Sequence, residues 1–191
     1  VAVRVNPNVD AHTHAKITTG KSENKFGIDF DQVLDVYARA AKECPHLEIR
    51  GVQMHIGSQL TSVTPFREAV EKVIPMVKEI QRLYGIQFFS IGGGIGINYK
   101  QSLDSGASTW WESNNEVHPL TVQAYAEAVV PLLQPLGLRI LCEPGRFMVG
   151  NAGVLPTSVL DEKRGSAKTF KIVDAGMNDL IRPTLYEGWH Q

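Results

Sequence analysis

The chain has 191 residues, 43% hydrophobic and 20% charged, with a formal net charge of -1. Balanced charge gives no basic footprint for nucleic acid or for a lipid surface, and no apolar run is long enough to span a bilayer. What remains is core material for one good domain, or for one domain and the start of another, acting on small molecules; two cysteines, Cys44 and Cys142, suit a reducing cytoplasm better than a disulfide framework or a zinc site.

Val1 to Val5 is β-branched and ends at Asn6-Pro7-Asn8, which predicts a strand stopped by a turn. Because Val1 already lies inside that run, the chain is expected to be a piece of something longer. A polar loop follows through Thr18-Thr19-Gly20 to Lys25-Phe26-Gly27. Asp29 with Gln32 reads as a capping pair for a helix whose Val33, Tyr37, Ala40 and Cys44 share one face before Pro45. Glu48 to Ile56 predicts a second strand, ending in His55-Ile56-Gly57-Ser58-Gln59. Thr64 is placed as the cap of a second helix, with a buried stripe of Phe66, Val70, Val73, Val77, Ile80 and Tyr84 and a kink at Pro75.

Gln87 to Ile91 predicts a third strand that opens into Gly92-Gly93-Gly94-Ile95-Gly96. A third helix is expected from about Thr121, with Ala124, Ala128, Leu132 and Leu133 on one side. Leu138 to Cys142 predicts the fourth strand, leading into Glu143-Pro144-Gly145-Arg146. Beyond it, Val154 to Leu160 and Thr169 to Val173 are β-rich with no helix between them. The expected division is therefore residues 1–147, the later half of a barrel, and 148–191, the start of a mostly β domain.

Alternating strands and helices predict an α/β fold with parallel strands. Asn6, His55 with Ser58, the triple glycine, and Glu143 with Arg146 all fall at carboxyl ends of strands. In a (β/α)₈ TIM barrel those ends share the active-site face, and the four strands would be half of such a barrel.

Three glycines after a strand let backbone N–H groups wrap a phosphate, although a tight turn without a ligand has the same sequence. His55 is read either as a hydrogen-bonded filler or as a flat ring facing a cofactor. Glu143 and Arg146 could form an ion pair closing the barrel end, or could divide into a proton-holding carboxylate and a bidentate anion clamp. Arg182 and Tyr186, in the polar stretch from Asp174 to Tyr186, could hold a carboxylate. His12-Thr13-His14 would suit a metal-dependent barrel hydrolase if joined by His55 and Glu143, but two ligands are not a metal site.

Glu143-Pro144-Gly145-Arg146, His55-Ile56-Gly57-Ser58-Gln59, Gly92 to Ile97 and Asp174 through Tyr186 together resemble the diaminopimelate decarboxylase family. Its members are pyridoxal-phosphate enzymes of the alanine-racemase-like barrel class, and usually homodimers with shared active sites. The resemblance implies that His55 stacks on the pyridine ring and that Glu143 pairs with the ring nitrogen. Ser58, Gly92, Gly93, Gly94 and the backbone around Gly145 and Arg146 would bind the phosphate. Arg146, Arg182 and Tyr186 would grip the distal carboxylate of meso-diaminopimelate, which is converted to L-lysine and carbon dioxide in the last step of lysine biosynthesis.

Related ornithine or arginine decarboxylases receive a cationic tail at that end, which two arginines would repel. The family's Schiff-base lysine would lie upstream of Val1 and its proton-donating cysteine beyond Gln191. Lys16, Lys21, Lys25, Cys44 and Cys142 match neither, so this segment is expected to be inactive alone. A non-catalytic relative that keeps the cradle without the lysine remains open at this stage.

Overall fold

The computed structural model describes residues 1–9, 25–97, 99, 120–150, 152–186 and 190, and of Tyr186 the backbone only. Two compact units are present, Val1–Ile97 with His118–Met148, and Asn98–Val117 with Val149–Gln191. The chain thus leaves the first unit twice, at Ile97 and again at Met148.

The first unit contains β1 (Ala2–Val5), α1 (Phe30–Glu43), β2 (Gly51–Met54), α2 (Thr64–Tyr84), β3 (Phe88–Gly93), α3 (Val122–Leu133) and β4 (Arg139–Glu143), followed by the short α4 (Arg146–Val149). The strands form one parallel sheet in the order β1-β2-β3-β4, with a helix on each connection. The expected α/β alternation is what the sheet displays. The second strand is shorter than expected, Gly51–Met54 rather than Glu48 to Ile56.

Registration makes the two faces of this sheet different. Val3, Val52, Phe89 and Ile140 lie in one row across the strands. Successive side chains alternate across a strand, so Val5, Met54 and Ile91 join the same face. All seven belong to the hydrophobic core or pack on it. The adjacent row is Arg4, Gln53, Ser90 and Leu141, three polar side chains in register on the opposite face.

Three helices cover the apolar face. In α1, Val33 and Tyr37 are fully buried, and the Tyr37 hydroxyl donates to the Gly51 carbonyl at 2.7 Å while accepting from Val3 N–H at 3.3 Å. Asp29 does sit at the N-cap of α1, but its side chain makes no capping bond; only its carbonyl takes the Gln32 N–H, at 3.0 Å. In α2 the stripe from Phe66 to Ile80 is buried as expected, and the helix continues through Pro75. Thr64 is its first residue rather than its cap. Val63 takes the cap position with helical dihedrals, and Gly85, at φ 61, ends the helix by donating to the Gln81 carbonyl at 2.9 Å.

The buried face of α3 keeps Leu133, with Ala128 and Leu132 packed against the core, but departs from the expected one at Ala124. Tyr125, Val129 and Leu133 point inward, whereas Ala124 is exposed. The large ring decides this orientation, because Tyr125 meets Phe66 of α2 edge to face with centroids 5.0 Å apart. Ala124 offers less apolar area to bury than Tyr125 beside it.

In the second unit, β5 (Val159–Arg164) pairs antiparallel with β6 (Thr169–Val173), and the short helix α5 (Arg182–Tyr186) follows. The first of these strands begins at Val159, not at Val154. Asp174 closes the open end of the hairpin, where its Oδ1 accepts from the Thr157 hydroxyl at 2.6 Å and from Ser158 N–H at 2.8 Å.

Candidate functional site

In the first unit the unusual residues at the carboxyl ends of β2, β3 and β4 converge. The Gly93 N–H donates to Nδ1 of His55 at 3.2 Å, which fixes the tautomer: the ring nitrogen that accepts carries no proton. Burial lowers the His55 pKa, the Arg4 guanidinium lowers it further, and Glu143 offsets part of the effect. The ring is therefore neutral at neutral pH and locked to the glycine bend.

Gly93 also pairs with Glu143 across β3 and β4. Each glycine of the run is required by the neighbouring backbone. A Cβ on Gly93 would collide with the Glu143 carbonyl oxygen, one on Gly92 with the Met54 carbonyl oxygen, and one on Gly94 with the Gly57 carbonyl oxygen. Gly92 and Gly94 also adopt φ 72 and φ 104, a region that favours glycine. The tight-turn reading of this run is thus correct as far as it goes.

Glu143 Oε1 accepts from the Ser90 hydroxyl at 2.6 Å, and Gln53 Nε2 approaches the same oxygen at 3.5 Å. Among the described residues no donor meets Oε2. Arg4 donates to the His55 carbonyl at 3.3 Å and is close enough to Glu143 for their charges to interact. Glu143 and Arg146 form no ion pair among the described contacts. Instead Arg146, at the start of α4, donates from Nη1 to Gln59 Oε1 at 2.8 Å. Gly145 precedes it at φ 48, and a Cβ there would meet little. Ser58 is half-buried on the same loop as His55.

The remaining candidates belong to the second unit. Arg182 donates from Nη1 to the Tyr99 hydroxyl at 3.2 Å and lies 3.3 Å from His190 Nε2, with its guanidinium over the Tyr99 ring. Tyr186 ends α5, and its side chain is outside the described residues, as are His12, His14, Lys16 and Lys21.

Four residues of the first unit received no role from the sequence: Arg4, Gln53, Gln59 and Ser90. The signal for three of them was a polar residue interrupting an apolar strand, as in Val3-Arg4-Val5 and Phe89-Ser90-Ile91. Among the described residues the assembled site offers a carboxylate oxygen that meets no donor, a neutral imidazole and a glycine bend bare of side chains on adjoining strand ends, which suits a planar, proton-accepting ligand.

A family model described as "Pyridoxal-dependent decarboxylase, pyridoxal binding domain" matches residues 1–150. The chain belongs to this family. The chain is 39% identical to diaminopimelate decarboxylase of Zymomonas mobilis over 100% of its own length, and covers 42% of that protein. It is 46% identical to diaminopimelate decarboxylase of Pseudomonas aeruginosa over 99% of its length, again 42% of that protein. Among solved structures, diaminopimelate decarboxylase of Helicobacter pylori complexed with L-lysine superposes with a TM-score of 0.85 at 41% identity, covering 100% of this chain and 44% of that one. Lysine decarboxylase of Selenomonas ruminantium, at 22% identity and TM-score 0.72 over 99% of this chain and 44% of that one, shares the fold. The chain spans less than half the length of these relatives.

Proposed function

We propose that the whole protein decarboxylates meso-2,6-diaminopimelate to L-lysine and carbon dioxide with pyridoxal 5'-phosphate, and that this chain supplies much of the cofactor cradle. The observation that carries the reading is Glu143, held on one oxygen by Ser90 with no donor on the other among the described residues, beside the neutral His55 ring and the glycine bend. When bound, pyridoxal phosphate supplies an electron-accepting ring into which the electrons left by a departing carboxylate spread.

The residues present fit that group. Glu143 Oε2 can hold a proton at the ring nitrogen, and protonation there makes the ring a better sink. His55, neutral and pinned, can lie against a ring face without adding a charge. Gly92, Gly93 and Gly94, where a Cβ would strike neighbouring backbone, keep the bend bare of side chains so that the phosphate can approach it, joined by Ser58 and the Gly145-Arg146 backbone. Arg146, Arg182 and Tyr186 would bind the distal carboxylate. A diacid is favoured over an ornithine- or arginine-like substrate because a guanidinium repels a cationic tail. The L-lysine in the Helicobacter pylori structure is the product that this reaction yields.

The same reading assigns the parallel sheet to the later half of an alanine-racemase-like TIM barrel, spanning 1–147, and 148–191 to the start of a β-rich domain. It also implies a cytoplasmic homodimer. The test is direct: the whole protein, loaded with pyridoxal phosphate, should release carbon dioxide from meso-diaminopimelate and accumulate L-lysine. Preferential decarboxylation of ornithine or arginine would overturn the substrate assignment.

A further inference from the structure

We propose that Gln59 is a positioning residue that aims the Arg146 guanidinium at the anionic end of the substrate. The inference rests on the reading above, in which Arg146 binds a carboxylate. Gln59 lies on the loop after β2 with φ 64, a left-handed conformation uncommon for a residue with a side chain. Such a conformation persists where the surroundings over-determine it, and here they do. The side-chain amide pairs with Ile97 in both directions: Nε2 donates to the Ile97 carbonyl, and Oε1 accepts from Ile97 N–H at 3.3 Å. Next to it, Leu60 N–H donates to the Gly94 carbonyl at 2.9 Å, and Gly96 N–H donates to the Leu60 carbonyl at 2.8 Å. A Cβ on Gly96 would come within 2.9 Å of the Gln59 carbonyl carbon, so the two loops meet too closely for a side chain there.

One amide therefore ties the loop after β2 to the loop after β3, and its oxygen then accepts from Arg146 Nη1 at 2.8 Å. The chemistry of that acceptor matters. A neutral amide oxygen fixes one N–H of the guanidinium and leaves its positive charge uncancelled. A carboxylate in its place would form an ion pair and remove the attraction for an incoming anion. Arg146 Nη2 and Nε meet no acceptor among the described residues, so donors remain for a bidentate carboxylate.

The test uses the whole protein and three variants. Gln59→Gly keeps the loop conformation, since glycine is at ease at positive φ, but removes the amide. It should raise KM for the diacid about tenfold, as expected for the loss of a hydrogen bond to a charged group, with the absorbance and affinity of bound cofactor unchanged. Gln59→Glu should raise KM further, because its carboxylate neutralises the guanidinium. Arg146→Ala is the reference, with a KM at least as high as that of Gln59→Gly. Normal KM in Gln59→Gly beside a raised KM in Arg146→Ala overturns the role of Gln59 and leaves the functional reading standing. Normal KM in Arg146→Ala overturns both the role of Gln59 and the assignment of Arg146 to the substrate carboxylate. A Gln59→Gly protein that loses its cofactor would show Gln59 to be a scaffold residue instead.

Discussion

The Ser90 hydroxyl donates to Glu143 Oε1 at 2.6 Å, joining the middle of β3 to the tip of β4. Ser90 is 3% exposed, and its oxygen also accepts from Gly92 N–H at 3.3 Å, so the hydroxyl proton is directed at the carboxylate. Glu143→Ala in the whole protein should lower kcat at least about a hundredfold, the usual scale for losing a positioned proton-holding group. Ser90→Ala should lower kcat about tenfold with KM little changed, and should shift the visible absorbance of bound cofactor. Steady-state kinetics with an absorbance spectrum check both.

The glycine run separates steric from conformational demands. Gly93→Ala places a Cβ against the Glu143 backbone, which cannot move aside without breaking the β3–β4 pairing. It should cost about 3 kcal/mol. Gly137→Ala meets the opposite demand, a positive φ of 64 that Gly93 lacks, with no heavy atom within 4 Å of the added methyl. It should cost about 1 kcal/mol. Urea unfolding of the two variants measures the difference, and equal losses would contradict the collision.

His55 predicts a pH effect with a definite sign. Its native pKa lies below the ordinary 6.5, first through burial and then through Arg4, with Glu143 opposing. The unfolded chain takes up a proton before the native protein does. The stability contributed by the neutral ring is therefore complete above about pH 6.5 and is lost as pH falls towards the lower native value. Protonated Nδ1 can no longer accept from Gly93 N–H. A His55→Gln variant should lose less stability than wild type between about pH 7 and about pH 5. Chemical denaturation at several pH values reads this, and parallel profiles would argue against it.

Tyr37 offers a test remote from the site. Its hydroxyl is buried between the Gly51 carbonyl and Val3 N–H, and burial raises its pKa to about 12. Tyr37→Phe leaves both backbone groups without this partner in the interior. The expected loss is about 2 kcal/mol, read as a lower Tm with the catalytic parameters unchanged.

Much of this architecture was legible in the residues because strand ends carry their own punctuation. An apolar run followed by His-Ile-Gly-Ser, Gly-Gly-Gly or Glu-Pro-Gly marks where a strand stops and which groups stand at its tip. Pattern was weaker where packing chose among several candidates. In α3 the expected face holds at Ala128, Leu132 and Leu133 but not at Ala124, because the large inward contact is Tyr125 against Phe66. Thr64 has a capping side chain, yet Val63 took the cap position. Sequence left open whether Glu143 and Arg146 pair or divide into separate roles; their partners, Ser90 and Gln59, lie 53 and 87 residues away. Contacts of that span depend on strand registration, which no local window contains.

That registration has a consequence for assembly. Arg4, Gln53 and Ser90 form a line of heteroatoms across three strands, flanked on each strand by valine, methionine, phenylalanine or isoleucine. Sliding any one strand by a single residue would turn a guanidinium, an amide or a hydroxyl towards the helices and an aliphatic or aromatic group towards the ligand side. Misaligned intermediates are thus penalised on both surfaces at once. The alignment that lets the chain collapse is the same one that brings Ser90 to Glu143.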